Sequence, residues 1–324
     1  MFQYITRRLL QFIPVFLGVT LVLFIMTRVV PGDPAKILAG EKAASPAFIA
    51  AIHKAYGLDD PIIVQYVNYL KDIFQGDFGT SIARGREVSV IFKEQYPYTV
   101  RLAFAAIIVE IIIGLSAGII SAVKRYSLAD AAVTLSTSIL VALPVFWLGM
   151  MLQYFFGIWM KDWTNGAFYL PVAGAGPGEF PSWVYLILPA ITLASVSTAY
   201  AARITRSQLL EVQGQDYIRT AYAKGLSPGQ VLRSHSMKNA LIPVVTFIAL
   251  DLGAMLSGAI LTETVFNWPG IGYTIYISIL ARDWPVVIGS TIIVTIVFMV
   301  INLLVDIGYA FLDPRIRYGG AKEG

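Results

Sequence analysis

Long apolar stretches alternate with polar segments along this chain. A helix rises about 1.5 Å per residue, so it needs roughly 20 apolar residues to cross about 30 Å of hydrocarbon. Stretches of this kind lie at residues 9–27, 102–123, 131–160, 180–202, 239–262 and 284–305. Only the second, with Glu110, and the fifth, with Asp251, contain a formal charge. The pattern predicts an all-α polytopic membrane protein with six transmembrane helices.

The polar segments indicate how the chain is oriented. They cover residues 1–8, 28–101, 124–130, 161–179, 203–238, 263–283 and 306–324. Nine basic residues lie between Arg28 and Arg101, mostly in a segment long enough to escape the positive-inside rule. Every second segment holds the following basic residues: Arg7, Arg8, Lys124, Arg125, Arg203, Arg206, Arg219, Lys224, Arg233, Lys238, Arg315, Arg317 and Lys322. The short segments 161–179 and 263–283 hold only Lys161 and Arg282. Because Lys and Arg are retained on the cytoplasmic side, we expect an N-in, C-in protein whose residues 28–101 form an external segment.

Composition supports a lipid environment. The chain has 324 residues, of which 57% are hydrophobic and 14% charged, and its 24 Lys and Arg against 20 Asp and Glu give a net charge of +4. Soluble domains average about 25% charged residues, so the composition disfavours a soluble fold, a disordered chain and a basic nucleic-acid binder. The absence of cysteine removes disulfides and thiolate-based metal or redox sites from consideration.

The first apolar stretch follows Arg7-Arg8, a pair that also suits the start of a secretory or twin-arginine signal peptide. The stretch exceeds a typical signal core, and no A-x-A-like cleavage site follows it closely. Residues 9–27 are therefore predicted to remain as an uncleaved transmembrane anchor.

The external segment carries signals for two helices. Ser45-Pro46 suits the start of one that ends at Gly57, and Asp60-Pro61 opens a second that ends near Gly76. The second would place one apolar face at Ile62, Ile63, Tyr66, Leu70 and Phe74. This face predicts a helical insertion folded onto the external side of the bundle, although a face for a partner protein would have the same spacing.

A second external segment, residues 161–179, is rich in turn residues. It contains Asn165-Gly166, Gly174, Gly176, Pro177 and Gly178, which favour turns and mobility over a packed element. Such a loop either connects two spans or enters the cleft of a partner.

The cytoplasmic segment 203–238 contains a short helix with its own boundaries. Asp216 suits the N-cap, Lys224 suits the C-terminal end, and Gly225 can adopt the left-handed terminating conformation. The apolar stripe of this helix consists of Tyr217, Ile218, Ala221 and Tyr222. It must pack either on this chain or in a groove of a partner, because so short a helix is marginal alone. Ser227-Pro228 then opens a helix that is predicted to continue into the fifth span.

Recognised catalytic motifs are missing from the sequence. No Gly-Lys dipeptide occurs, so the phosphate-binding G-x-x-x-x-G-K-[ST] loop is absent. His53 and His235 are the only histidines, and neither an H-E-x-x-H nor a G-x-S-x-G motif is present. Glu110 and Asp251 remain as ionisable residues within spans, and they are candidates either for lining a polar path or for hydrogen bonding between helices.

Several motifs together carry a family resemblance. Arg219-Thr-Ala-Tyr-Ala-Lys-Gly225 with Leu-Ile-Pro243 resembles the cytoplasmic-loop motif of binding-protein-dependent ABC importer permeases, and the run from Asp216 to Leu226 resembles their dipeptide/oligopeptide/nickel subfamily, B-type subunit. Further matching motifs are Pro31-Gly-Asp-Pro34, Tyr56-Gly-Leu-Asp-Asp-Pro61, Gly76-Asp-Phe-Gly-Thr-Ser81, Glu263-Thr-Val-Phe-Asn-Trp-Pro-Gly-Ile-Gly272 and Asp313-Pro-Arg-Ile-Arg-Tyr318. Arg219 and Thr220 depart from the Glu and first Ala of the general motif, and the spacing from Gly225 to Pro243 is longer.

The resemblance implies a type I ABC importer permease that has no ATPase site, cofactor or metal of its own. It implies four kinds of partner: a second homologous permease subunit, two ABC ATPase subunits that bind ATP and Mg, an extracytoplasmic substrate-binding protein, and the lipid of a prokaryotic cytoplasmic membrane. The substrates would be di-/oligopeptides or, alternatively, nickel or another small solute. The coupling helix that contacts the ATPase would consist of Asp216, Tyr217, Ile218, Arg219, Thr220, Ala221, Tyr222, Ala223, Lys224 and Gly225. Either the 161–179 loop or Glu263–Gly272 would reach the binding protein.

Two other classes of protein compete with an importer subunit. An ion-coupled secondary carrier is expected to show internal repeats and an ion-coupling cluster within its spans, and the sequence shows neither. A membrane scaffold protein would explain the external helices but not the separately bounded cytoplasmic helix.

Overall fold

A computed structural model describes residues 2–28, 46–55, 59–176, 178–179 and 181–312. These residues are largely helical, and the β-pairing among them is an isolated antiparallel bridge between Thr80 and Glu87. The all-α fold is therefore confirmed. The predicted helix limits at Ser45 and Gly57, and the motifs at 31–34 and 313–318, lie outside the described residues.

We number the helical runs in chain order. They are α1 (Phe2–Arg28), α2 (Pro46–Ala55), α3 (Ile62–Phe74), α4 (Val88–Val123), α5 (Leu128–Ala142), α6 (Val145–Trp163), α7 (Val184–Gln213), α8 (Asp216–Ala223), α9 (Pro228–Leu256), α10 (Ile260–Val265), α11 (Ile271–Leu280) and α12 (Trp284–Leu312). Three of them contain π-helical turns, at Glu110–Leu115, Gln153–Trp159 and Leu232–Ser236.

Five helices, namely α1, α4, α7, α9 and α12, are long and apolar enough to cross a membrane. The predicted third span is not one straight helix, because α5 and α6 meet at an angle of 107°. The break has a local cause: Leu143 precedes Pro144 and is extended, with φ −83° and ψ 133°, since a residue before proline is disfavoured in the helical region. If the bent pair is one broken span, the count reaches six. The predicted fifth span, residues 239–262, also ends earlier than predicted, because α9 ends at Leu256.

Contacts divide the chain into two compact units. The first unit contains residues up to Thr99 together with Pro269–Leu303. Its cores combine the start of α4 with α11 and α12, through Val88, Ile91 and Val286 in one cluster and Phe92, Ile271 and Ile275 in another. Asp283 is buried just before α12, where it accepts hydrogen bonds from the Ser81 hydroxyl and, at 3.0 Å, from the Ile82 backbone N–H. The Gly76–Ser81 motif is therefore anchored to the start of α12.

Helix α3, which was predicted to be external, corrects one prediction. Ile63, which was assigned to its packed face, is 74% exposed, whereas Ile73 is buried. Phe74 is also largely exposed, although its ring lies 5.7 Å from that of Phe16 on α1. The side that packs contains Tyr66 and Tyr69, whose rings lie 5.2 and 5.7 Å from that of Phe24 on α1. The hydroxyl groups of Tyr66 and Thr20 lie 3.1 Å apart. Aromatic and polar contacts with α1 therefore decide which side packs, and the spacing of aliphatic residues does not.

The second unit contains Val100–Trp268 and the residues after Leu303. Its most closely packed seam joins α4 to α7 through glycines. A Cβ atom at Gly118 would lie 2.6 Å from the carbonyl oxygen of Ala202, and one at Gly114 would lie 2.9 Å from Cβ of Ala201. The two glycines are four residues apart, the small-xxx-small spacing that lets helix backbones approach each other in membranes.

The 161–179 loop is more ordered by packing than its composition predicts. Asn165, Gly166 and Gly174 do have positive φ, as expected for turn residues. Val172 nevertheless packs against Gly157: a Cβ atom added to Gly157 would lie only 1.9 Å from Cγ1 of Val172. The Gln153 amide donates to the Val172 carbonyl oxygen at 2.7 Å. The prediction of a turn-rich segment without a packed part is therefore wrong for the stretch around Val172.

Candidate functional site

The predicted cytoplasmic segment forms a helix–turn–helix arrangement around α8. Two residues, Gly214 and Gln215, connect α7 to α8. The predicted N-cap is wrong by one residue: Gln215 is extended and occupies the cap position, while Asp216 is the first helical residue and makes no capping bond. Asp216 instead pairs with Arg219 at 3.4 Å, and both side chains are exposed to solvent. Its carboxylate is still suited to the positive end of the helix dipole.

The C-terminal end of α8 confirms the prediction for Gly225. Its φ is +82°, in the left-handed region. The Gly225 N–H donates to the Tyr222 carbonyl oxygen at 2.9 Å, and the Leu226 N–H donates to that of Ala221 at 3.4 Å. This pair of bonds forms a Schellman motif, and Leu226 adds the accompanying apolar contact. A residue with a Cβ atom would be strained at this position.

The helix that follows begins where Ser227-Pro228 predicts. The Ser227 hydroxyl accepts a hydrogen bond from the Gln230 N–H, and the Gln230 side chain accepts one from the Ser227 N–H, which forms a complete capping box. From there α9 runs without a break to Leu256. A capped turn of four residues, 224–227, therefore joins α8 to a candidate membrane span.

The apolar stripe of α8 is divided between two environments. Ile218 and Ala221, 1% and 5% exposed, form a buried cluster with Val231 of α9. Tyr217 and Tyr222 are 41% and 49% exposed. The hydroxyl of Tyr217 accepts a hydrogen bond from the Asn239 amide at 2.9 Å. Half of the stripe thus attaches α8 to its own chain, and the two tyrosines stay accessible.

We call the accessible side of this helix the α8 outer face. Its members are the exposed residues Asp216, Tyr217, Arg219, Thr220, Tyr222, Ala223 and Lys224. The face combines two aromatic rings with two cations, and a single carboxylate offsets one of the cations. Such a surface suits a partner groove that has apolar walls and acidic or carbonyl groups at its rim.

Glu110 and Asp251 lie together in the second unit. Glu110 is buried in the π-helical turn of α4, and Asp251 is half-buried on α9. The carboxyl groups of Glu110 and Asp251 are close enough to interact electrostatically. Neither carboxylate oxygen of Glu110 has a hydrogen-bond partner within the described part of the chain. Glu110 does not face an open path in this conformation, so pathway lining stays a prediction for both residues.

The motif Glu263–Gly272, which was predicted to be external, is largely inaccessible. Glu263, Phe266 and Trp268 are buried, and Asn267 is the one exposed residue in this range. The Trp268 N–H donates to the Glu263 carbonyl oxygen at 2.8 Å, which closes the turn after α10. Its burial makes this motif a poorer candidate for reaching a partner than the 161–179 loop.

Sequence analysis did not single out the ion pair between Asp130 and Arg206. The Arg206 guanidinium donates to both Asp130 carboxylate oxygens, at 2.8 and 2.9 Å. The Ser-x-x-Asp sequence at residues 127–130 indicates a helix start, which puts Asp130 in the first turn of α5, but it does not specify Arg206 as the partner. The pair joins α5 to α7 close to α8.

Comparison with known proteins gives consistent matches along the chain. Residues 114–318 match the family described as the inner membrane component of binding-protein-dependent transport systems, and residues 1–103 match the N-terminal part described for such components. The dipeptide transport system permease protein DppB of Alkalihalophilus pseudofirmus is 42% identical, covering 98% of this chain and 100% of the relative. The di/tripeptide transport system permease protein DppB of Pseudomonas aeruginosa is 40% identical over 98% of this chain and 99% of its own.

A solved structure shares the fold. An inward-facing MetNI methionine ABC transporter chain aligns with a TM-score of 0.51 and 17% identity, over 69% of this chain and 96% of its own. At that identity the likeness concerns the fold alone.

Proposed function

Because this chain belongs to the family of inner membrane components of binding-protein-dependent transport systems, we propose that it is the permease subunit of an ABC importer that moves di- and oligopeptides across the cytoplasmic membrane of a prokaryote. The observation that carries the proposal is 40–42% identity, over nearly the whole chain, to relatives named as dipeptide and di/tripeptide permeases. These names favour peptides over nickel, and the family favours an importer subunit over a self-sufficient carrier.

The energy for transport is supplied by partners in this proposal. The sequence has no phosphate-binding loop, so ATP and Mg bind to separate ATPase subunits. We place two such subunits, a second homologous permease and an extracytoplasmic binding protein around this chain. The binding protein delivers the peptide, and the 161–179 loop is its proposed contact.

The α8 outer face is the proposed contact with the ATPase. Ile218 and Ala221 are already used to hold α8 against α9, so the docking side chains are those left exposed, above all Tyr217 and Tyr222. Tyrosine is enriched at protein interfaces because its ring buries a large area while its hydroxyl keeps a polar partner. Arg219 and Lys224 add positive charge at the rim of the contact.

The attachment of α8 at both ends explains how a displacement would reach the membrane. A two-residue link joins it to α7, and the Schellman motif followed by a capping box joins it to α9. Neither connection contains a long flexible segment that could absorb the movement. When ATP draws the ATPase subunits together, α7 and α9 therefore move with α8 and open the pathway outward; hydrolysis resets the inward-facing state.

The test is reconstitution of the complete importer in liposomes, where the uptake of a labelled dipeptide is measured. We expect uptake that requires ATP, the binding protein and the ATPase subunits. Tyr222→Asp should lower both ATPase association and uptake, because it places a charge in the contact, whereas the matched variant Tyr222→Phe should retain both. Uptake that proceeds without any ATPase, or that carries nickel and no peptide, would refute the proposal.

A further inference from the structure

The Asp130 carboxylate is a junction between four parts of the second unit. Besides the two bonds from Arg206 on α7, it accepts one from the Ser121 hydroxyl on α4. It also accepts one from the Tyr126 N–H, at 2.9 Å, in the turn that joins α4 to α5. Asp130 itself lies in the first turn of α5. One side chain thus connects α4, the α4–α5 turn, α5 and α7.

Burial makes this junction specific. Asp130 is only 5% exposed, and its ionised form has its acceptor sites filled by the donors named above. Bidentate pairing with arginine fixes the angle as well as the distance between two groups. Removing Arg206 leaves the buried Asp130 carboxylate without its charged partner, which costs more than the loss of an exposed pair. The Arg206 side chain is 31% exposed, so water partly compensates it when Asp130 is lost.

The position of the junction relates it to α8. Arg206 lies on α7, seven residues before the last residue of that helix, Gln213, and ten residues before Asp216, the first residue of α8. A displacement of α8 therefore acts on α7 close to the point at which Asp130 is bound. Further along α7 towards its start, the Arg203 guanidinium donates hydrogen bonds to the hydroxyl oxygens of Thr137 at 3.2 Å and Ser138 at 2.9 Å on α5.

The α4–α7 seam shows what the ion pair adds. Gly114 and Gly118 already bring the backbones of α4 and α7 into contact, but a seam of small residues allows helices to slide and rotate. The directional bonds of Asp130 oppose sliding at the cytoplasmic end. The bent α5–α6 pair has its own link to α7 at this same end, through Asp130 and the Arg203 bonds.

We propose that Asp130 and Arg206 are positioning residues for transport: their ion pair makes the α4–α5 hairpin move as one body with α7 when α8 is displaced. The inference rests on the proposed function, in which α8 receives the movement of the ATPase. Without the pair, α7 follows α8 while α4 and α5 lag behind, so ATP is hydrolysed with less peptide moved.

The experiment compares variants of the complete importer in liposomes. For each we measure the ATPase recovered with the chain and the ratio of peptide transported to ATP hydrolysed. Asp130→Asn and Arg206→Gln should lower the ratio by about fivefold or more, the lower end of typical coupling between sites, with ATPase recovery unchanged. Arg206→Lys keeps the charge but loses the bidentate geometry and should fall between these and the unsubstituted chain. Glu211→Gln, a matched carboxylate-to-amide change at an exposed position of α7, should leave the ratio unchanged.

Replacing the ion pair by a covalent cross-link tests whether the connection between α5 and α7 is what couples transport to ATP hydrolysis, or whether the two residues only stabilise the fold. The chain contains no cysteine, so Asp130→Cys with Arg206→Cys introduces a single reactive pair. We expect the double variant to be uncoupled and a short bifunctional thiol reagent to restore the ratio. The unsubstituted importer treated with the same reagent controls for cysteines in the partners.

The outcomes distinguish this inference from the proposed function. If ATPase is recovered with Asp130→Asn but the ratio equals that of the unsubstituted importer, the positioning role is wrong while the importer proposal stands. Failure of the cross-link to restore the ratio also overturns it. If the unsubstituted chain recovers no ATPase at all, the proposed function fails before the variants are compared.

Discussion

Two short helices outside the long apolar stretches, α3 and α8, were predicted from the same kind of apolar stripe, but the structure places the two stripes in different environments. Each has an apolar stripe at helical spacing, and each exists close to its predicted bounds. In α8 the stripe is divided, with Ile218 and Ala221 buried and two tyrosines exposed. In α3 the stripe members Ile63 and Phe74 are exposed, whereas Tyr66, also a member of the stripe, packs on α1. A stripe therefore predicts a helix but does not say which environment covers it.

The difference follows from what surrounds each helix. The neighbours of α8 come from the adjacent chain: Val212 and Leu226 flank the helix, and Val231 lies one turn into α9. Local sequence therefore selects its buried side. The contacts of α3 come from α1, whose facing residues Thr20 and Phe24 are distant in sequence and include a hydroxyl group. Sequence spacing within α3 cannot encode that choice.

The largest predicted effect contrasts two isoleucines. Ile218→Ala should destabilise α8 by about 2–5 kcal/mol, because it removes a buried side chain and leaves a cavity. Ile63→Ala on α3 should change stability by no more than about 0.5 kcal/mol, since its side chain is exposed. Amide hydrogen exchange of each helix, measured in the purified protein, checks both values. Equal losses of protection would contradict the assignment of the two faces.

A second contrast concerns glycine at the end of α8. Gly225 and Gly229 both have open space around the position of a Cβ atom, but only Gly225 has a positive φ. Gly225→Ala should therefore cost about 1–2 kcal/mol. Gly229→Ala should be neutral or stabilising by up to about 1 kcal/mol, because it lies in a helix. Hydrogen exchange of the 216–226 amides is the measurement, and similar protection in the two variants would disprove the terminating role of Gly225.

A smaller effect tests the attachment of α3 to α1. Tyr66→Phe removes the hydroxyl that meets Thr20 but keeps the ring against Phe24. We expect α3 to lose about 0.5–1.5 kcal/mol, the usual net value of one hydrogen bond. Tyr69→Phe keeps its ring contact with Phe24 and serves as the comparison for loss of a tyrosine hydroxyl on the same helix. Unfolding of α3 in the first variant with no change in the second would show that the contact matters more than we infer.

The smallest effect decides the start of α8. If Asp216 were the N-cap, Asp216→Ala would cost about 1 kcal/mol. Because Asp216 is instead the first helical residue and lies in an exposed ion pair, Asp216→Ala should lower the stability of α8 by less than about 0.5 kcal/mol. Protection of the first amides of α8 distinguishes these values, and a loss near the larger one would restore Asp216 as the cap.

Local signals carried most of what the sequence could predict. The length of apolar stretches identified the membrane helices, Gly225 marked the end of α8, and Ser227-Pro228 marked the start of α9. The break at Leu143–Pro144 was visible as a proline but not as a 107° bend, because the angle depends on packing beyond the residue itself.

Long-range features were beyond the sequence. The pairing of Asp130 with Arg206 joins residues 76 positions apart, and nothing in either neighbourhood specifies the other. The burial of Glu263 has the same character, because a glutamate is usually exposed and its sequence neighbours do not indicate that this one is buried. The sequence thus predicted the helix that carries the candidate contact surface, and only the three-dimensional packing shows which of its residues are buried on this chain and which are exposed.

The central claim is that the α8 outer face meets the ATPase while the opposite face stays on this chain. A photo-reactive phenylalanine analogue in place of Tyr222 tests it most directly, in an importer assembled in its membrane. The account predicts that illumination joins this chain to an ATPase subunit, and that the same analogue in place of the exposed Tyr126 of the α4–α5 turn gives a weaker adduct or none. An assembled importer in which Tyr222 cross-links only to this chain or to lipid would contradict it.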